Sequence, residues 1–200
     1  DTKESLIPEP VKIAQQGLCK DFVEGLVPIP QDEKIKCSDT ICCARQETVE
    51  KIEDTRKFIS NSNEYLLIVD AARSPEAQRE AFLDFLAGGA VACGPLDIAD
   101  KNELAKKVPD AETKLERINL AENWLSQNEP QTLEILNNLP SYSHCRHIQG
   151  RALDVQLQIG KSDNNIINLR NLMCEAGWAN YGGEWWHYEY LTSGYERAKK

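Results

Sequence analysis

The spacing of apolar residues predicts alternating helices and short strands in the first half of the chain. Between residues 47 and 59, apolar side chains recur at helical spacing among charges, which predicts an amphipathic helix. Residues 65–69 (YLLIV) form a short, apolar, β-rich run that predicts a buried strand. Ser74 and Pro75 follow as helix cap and first helical residue, so a second helix is predicted to run to about Leu86.

The second half shows the same mixture. Helical spacing returns at residues 115–125 and 166–173, and loops are predicted at 88–95 and 137–143. Residues 150–157 alternate with period two, so that Leu153, Val155 and Leu157 face one way and Ala152, Asp154 and Gln156 the other. An aromatic segment at 185–190 predicts the last strand. This pattern predicts a single α+β domain with a small antiparallel sheet and helices packed around it.

Residues 1–44 differ from the rest because they are rich in Pro and Cys and show no sustained period. We interpret them as an irregular arm, and residues 45–200 as the folded domain. Four of the seven cysteines lie in the first quarter of the chain, which favours an oxidising compartment with one or two disulfides near the N-terminus. The odd count leaves at least one free thiol, and packing as small core residues is the alternative reading.

Composition narrows the classes of partner and location. A net charge of −9 argues against binding to nucleic acid or to an anionic membrane surface, since both need clustered Lys and Arg. No stretch approaches the roughly 20 apolar residues of a membrane-spanning helix, so no membrane insertion is expected. Because the sequence starts at Asp1 rather than Met, a cleaved signal peptide is one explanation. We therefore expect a periplasmic or secreted protein, with a cytoplasmic location as the alternative.

Candidate chemistry centres on the histidines, of which there are only three. His147 lies seven residues before Asp154, and His187 lies three residues after Glu184. Imidazole and carboxylate groups are the ligands of catalytic zinc, and a nearby glutamate can accept a proton from water. Spacing alone leaves two readings equally open: a metal site, or histidines that are packed and hydrogen-bonded.

A metal site here sets a geometric condition. Residues seven apart on one regular strand point to opposite faces, so His147 and Asp154 converge only if the chain bends between them. Gly150 is the predicted bend. Glu184 and His187 are three residues apart, so on one regular strand they would also point to opposite faces. The preceding Gly182-Gly183 pair predicts that Glu184 lies in a turn before the last strand.

The motifs resemble a known family. His147 three residues before Gly150-x-Ala-x-Asp154, together with Glu184-Trp-Trp-His187-Tyr, resembles the zinc D-alanyl-D-alanine dipeptidases of the vancomycin-resistance (VanX) type and their D,D-carboxypeptidase relatives. Upstream, residues 66–75 (LLIVDAARSP) are similar to the family's strand that ends in Asp-x-x-Arg-Pro. The resemblance covers roughly residues 45–190, with the motifs in the family's order.

The resemblance implies a set of roles. His147, Asp154 and His187 would bind one Zn²⁺ per chain, Glu184 would be the general base, and Arg73 would contact substrate near the scissile bond. The implied activity is hydrolysis of a small peptide that ends in D-alanine, first of all the dipeptide D-Ala-D-Ala. Cleavage of peptidoglycan stem peptides by a D,D-carboxypeptidase is the alternative.

Two further readings belong to other classes. One is a non-catalytic zinc-binding interaction domain, like the signalling domain of Hedgehog proteins within the same wider fold group. The other is an acidic binding module without metal. The presence of Glu184 argues against the first, since an interaction domain needs no base. The sequence leaves the oligomeric state open.

Three more residues have expected positions in the site. A guanidinium at a strand end, as for Arg73, suits an oxyanion or a substrate carboxylate, and a surface salt bridge is its structural alternative. Cys145 stands where the family usually has Ser, so it is a candidate substrate contact, although a thiol is a poorer hydrogen-bond partner than a hydroxyl. Ligation of the zinc by Cys145 is the alternative. Trp186 is predicted to line the substrate pocket, while His144 is predicted to be a solvent-facing loop residue.

Overall fold

The computed structural model describes residues 19, 24–38, 42–96, 98–138, 145–159, 166–180 and 184–190. Six helices have bounds within these ranges: α1 Gln46–Arg56, α2 Pro75–Leu86, α3 Ile98–Ala105, α4 Lys114–Asn128, α5 Pro130–Leu136 and α6 Ile166–Glu175. Seven strands do as well: β1 Leu26–Pro28, β2 Ile35–Cys37, β3 Cys43–Arg45, β4 Glu64–Asp70, β5 Ala152–Ile159, β6 Ala179–Asn180 and β7 His187–Glu189.

The strands form two small sheets. Five of them pair in the order β2-β4-β5-β7-β6, and β1 pairs with β3 in a separate two-stranded sheet. All pairings are antiparallel except that between β2 and β4. Helices mixed with small, largely antiparallel sheets confirm the predicted α+β class.

The chain divides into two compact units. The first consists of residues 1–72 and 149–200, and it contains both sheets together with α1 and α6. The second consists of residues 73–148 and contains α2 to α5.

The core of the first unit lies on one face of the central strands. Leu153, Val155 and Leu157 of β5 are buried as predicted, in one apolar cluster with Leu169 and Met173 of α6. Because side chains alternate along a strand, the other face of β5 presents Asp154. The predicted alternation therefore separates a core face from a face that is free to carry polar groups.

The second unit is held by helix packing and ion pairs. Helix α2 begins and ends where the sequence predicts, and Ser74 Oγ accepts a hydrogen bond from Ala77 N at 3.1 Å. Between α2 and α4, Arg117 Nε lies 2.7 Å from Asp84 Oδ1, and Arg79 Nη2 lies 2.7 Å from Glu122 Oε1. The sequence pattern did not reveal α3 and α5, because helices of eight and seven residues hold too few turns for a clear period.

The described part of the expected arm differs from the prediction. Instead of irregular chain, it contains β1, β2 and most of β3, which are three residues each and too short to show alternation. Its cysteines form the bridges Cys19–Cys43 and Cys37–Cys42, in line with the expected N-terminal disulfides. A third bridge joins Cys93 to Cys145, and Cys174 is the free, exposed thiol.

Within the described ranges, no helix combines the length and the apolar character needed to cross a membrane.

Candidate metal centre

Two paired strands bring a carboxylate and an imidazole together. Asp154 of β5 lies directly across from His187 of β7, and residues in such register project to the same face of the sheet. Nδ1 of His187 lies 2.9 Å from Oδ1 of Asp154. Their side chains are 11% and 14% exposed, respectively. The antiparallel pairing thus joins residues that are far apart in the sequence.

The bend predicted between His147 and Asp154 is present. Residues 146–150 form a turn that leads into β5, and Gly150 has φ +65°. Its carbonyl oxygen accepts hydrogen bonds from Arg45 N at 2.9 Å and Thr48 Oγ1 at 2.8 Å. Arg45 Nε donates to the carbonyl of Gln149 at 3.0 Å. These bonds hold the end of the turn against β3 and α1.

Gly150→Ala is expected to lower the free energy of unfolding by roughly 2–3 kcal/mol, since a side chain in the left-handed region costs about 1–2 kcal/mol even without a clash. Here the added Cβ would also overlap Leu26 Cδ2 and lie 2.8 Å from Arg45 N. Gly177→Ala is a matched control, because its φ is +81° but its new Cβ would meet only the flexible end of Lys51. Urea denaturation measures both variants, and equal losses would contradict this view of the turn.

The three predicted ligands come together. His147, Asp154 and His187 each offer one ligand atom, and these atoms all lie within 4.8 Å of one another. As whole residues, His147 and His187 are buried, at 6% and 8% exposed. Two atoms that bind one tetrahedral zinc ion at about 2.1 Å are roughly 3.3 Å apart, so any pair of these ligand atoms that is farther apart would close up on binding.

The donor set fits a catalytic type of metal site. Two imidazole nitrogens and one carboxylate oxygen suit Zn²⁺, and three protein ligands leave a position for water. The same set also accepts other divalent ions. The group can therefore hold a divalent metal ion.

Glu184 lies beside this group. Its Oε2 is 3.8 Å from His187 Nδ1, and its side chain is 14% exposed. The backbone makes a turn here, with His187 N donating to the Glu184 carbonyl at 3.2 Å, as the sequence predicts. Asn180 Nδ2 also donates to the carbonyls of Glu184 at 2.9 Å and His187 at 3.0 Å. These bonds fix the two residues relative to each other.

His187 has a carboxylate near each ring nitrogen, since Glu189 Oε1 lies 3.3 Å from Nε2. Burial lowers the pKa of His187, but hydrogen bonds with Asp154 and Glu189 outweigh it and raise the pKa from 6.5 to about 9. In the metal-free protein the ring is therefore protonated at neutral pH. A metal ion that binds it displaces a proton.

Arg73 is positioned by a ring of contacts in the second unit. Its backbone N donates to the carbonyl of His147 at 3.3 Å, and its Nη1 donates to Gln78 Oε1 at 3.2 Å. Gln78 is fully buried and donates through Nε2 to the carbonyl of Cys93 at 2.8 Å. The bridge from Cys93 to Cys145, two residues before His147, closes the ring. The predicted substrate-contacting arginine and the first predicted ligand are thus neighbours.

The roles considered for Cys145 need correction. Its sulfur is bonded to Cys93, and the residue is 1% exposed. A disulfide sulfur has no hydrogen to donate to a substrate and is not a thiolate that binds zinc. The sequence pattern suggested a thiol because it placed Cys145 beside His147 and gave no sign of its distant partner.

The remaining predicted site residues have simpler outcomes. Trp186 is half-buried, and its ring lies perpendicular to that of Trp185 with centroids 5.4 Å apart. Trp185 is partly buried and packs against the core of the first unit. His144 and the Gly182-Gly183 pair lie outside the described residues.

Two residues of this region, Glu189 and Gln78, were not predicted from the sequence. Glu189 follows His187 by two positions on the same strand, and period-two alternation places both on one face. Gln78 precedes Phe82 by one helical turn, so it is a polar residue at the start of the buried stripe of α2. Both signals were present in the sequence, but each depended on knowing which face was functional.

No protein-family model matches the chain, and no curated protein is significantly similar to it.

Proposed function

We propose that this protein is a zinc metallopeptidase that hydrolyses short peptides ending in D-alanine, with free D-Ala-D-Ala as its first substrate. The observation that carries the proposal is the position of Glu184. Its carboxylate lies 3.8 Å from a nitrogen of His187, beside the group formed by His147, Asp154 and His187. Hydrolysis requires a base next to a three-ligand metal site, whereas metal storage and structural zinc sites do not require one.

The metal ion, when bound, would act as a Lewis acid and lower the pKa of water. Glu184 would accept a proton from the attacking water and pass it to the amine that leaves. Its low exposure favours this role, because a carboxylate shielded from bulk water transfers protons to the substrate rather than to solvent.

Arg73 would bind an anionic group of the substrate. Its guanidinium presents a fork of donors that matches a carboxylate or a developing oxyanion. Gln78 holds one Nη atom from a buried position, which reduces the freedom that the side chain would lose on binding. A peptide with a free C-terminal D-alanine supplies such a carboxylate.

Stem-peptide hydrolysis is a second candidate because of the disulfides. Three bridges are typical of a protein that folds in an oxidising compartment, where peptidoglycan rather than a cytoplasmic dipeptide is the available substrate. On this view the protein is periplasmic or secreted.

The test compares hydrolysis of D-Ala-D-Ala and of diacetyl-L-Lys-D-Ala-D-Ala by the zinc-loaded protein, after plasma emission spectrometry has measured its metal content. We expect about one zinc per chain and release of D-alanine from D-Ala-D-Ala, with L-Ala-L-Ala as the stereochemical control. Hydrolysis of only diacetyl-L-Lys-D-Ala-D-Ala would replace the dipeptidase by the carboxypeptidase. Zinc without hydrolysis of any of these peptides would favour the interaction domain, and absence of zinc would favour the metal-free binding module.

A further inference from the structure

We propose that Glu189 is a positioning residue that orients His187 by accepting its Nε2–H, so that Nδ1 is the atom offered to the metal. The inference rests on the proposed metal site and deepens it. Nothing in the motifs assigns a role to Glu189.

The strand geometry brings Glu189 to the site. His187 and Glu189 are two residues apart on β7, so their side chains lie on the same face as Asp154, which is paired with His187. Across from Glu189 the neighbouring strands carry Ala152 and Ala179. Neither alanine has a polar side-chain atom, and the carboxylate turns along its own strand to reach His187 Nε2 at 3.3 Å.

The two nitrogens of His187 have different surroundings. Nδ1 lies 2.9 Å from Asp154 Oδ1 and 3.8 Å from Glu184 Oε2, whereas Nε2 lies 3.3 Å from Glu189 Oε1. Two ligand atoms of one tetrahedral zinc ion are roughly 3.3 Å apart, which is close to the spacing of Nδ1 from the Asp154 oxygen. Nδ1 therefore belongs to the ligand group, and Nε2 is left to carry the proton.

An acceptor at Nε2 has a direct effect on the other nitrogen. A neutral imidazole carries one proton, and holding it at Nε2 leaves the lone pair of Nδ1 for a metal. A carboxylate acceptor also makes the imidazole a stronger ligand for the metal and restrains the rotation of its ring. Loss of such a partner typically costs 10–100-fold in metal affinity or activity. Two glutamates near one histidine thus have separate tasks: Glu184 moves protons and Glu189 orients the ligand.

The first test measures zinc affinity by competition with a chromophoric chelator. Glu189→Ala is expected to weaken zinc binding roughly 10–100-fold, and Glu189→Gln by less, because its amide oxygen still accepts a hydrogen bond. Glu64→Gln is the control for the change in charge. It lies at the far end of β4, roughly 20 Å along the strand from Asp70, which pairs with Asp154.

The second test observes the ring itself. Long-range ¹H–¹⁵N NMR of the zinc-loaded protein, with His187 assigned by its absence in His187→Ala, should show the proton on Nε2. A proton on Nδ1 would overturn the assignment, and so would a zinc affinity of Glu189→Ala within twofold of wild type. A purely structural role for Glu189 would lower thermal stability while leaving the tautomer and the affinity unchanged.

Neither readout needs peptide hydrolysis. A protein that binds zinc, shows the Nε2 proton and depends on Glu189, but cleaves no peptide, would refute the proposed function and keep this assignment. Peptide hydrolysis by the wild type, together with unchanged zinc binding in Glu189→Ala, would support the proposed function and refute this assignment.

Discussion

Glu184→Gln is expected to reduce kcat for D-Ala-D-Ala by about 10²–10⁴-fold while zinc stays bound at wild-type stoichiometry, because a positioned acid–base group typically contributes this much. Glutamine has nearly the same shape, so the turn that joins Glu184 to His187 through backbone atoms should persist. The amide cannot accept a proton from water. KM should change little, since the interaction is lost in the transition state rather than in substrate binding.

A matched variant controls for the change in charge. Glu175→Gln removes one carboxylate from an exposed position at the end of α6 and is expected to retain activity. Steady-state kinetics and plasma emission on the same preparations separate the two effects. Loss of zinc from Glu184→Gln would show that this residue is a ligand and not the base, and wild-type turnover with zinc present would remove it from the mechanism.

His147→Ala is expected to lose metal and activity together. The side chain is buried and supplies one of the three ligand atoms, so its removal leaves two, which are too few to define a catalytic zinc site. The loss of zinc affinity should exceed the roughly 10–100-fold expected for an outer hydrogen-bond partner such as Glu189. Chelator competition measures this difference directly.

His144→Ala provides the comparison, because it also removes one imidazole but one that no motif places in the site. It is expected to bind zinc as the wild type does. Retention of full zinc affinity by His147→Ala would refute the ligand assignment. Loss of zinc from His144→Ala instead would move the first ligand position by three residues.

Local elements with strong chemical signals were predictable from the sequence. Ser74 defines the start of α2 by accepting a hydrogen bond from a free backbone N–H, and Pro75 suits the first turn because it has no N–H to satisfy. The apolar period carries the helix to Leu86. Alternation in β5 identified its buried face. The same reasoning located a bend at Gly150, which the two ligands His147 and Asp154 need in order to meet, and a turn at Glu184, which the base needs in order to lie beside His187. Short elements such as β1 and α5 were not predicted, since they are stabilised by contacts with their neighbours and are too short to show an apolar period of their own.

The sequence by itself determined the inventory of this site: two imidazoles, a carboxylate, a base and a bend, in an order that leaves metal binding and simple packing both open. Only the tertiary structure decided which atoms meet. Register across β5 and β7 sets Asp154 beside His187, and Glu189 joins them because it shares their face. The bond between Cys93 and Cys145 spans 52 residues, and nothing in local spacing specifies such a partner. Period and capping act within a few residues, whereas ligand geometry depends on contacts between distant parts of the chain.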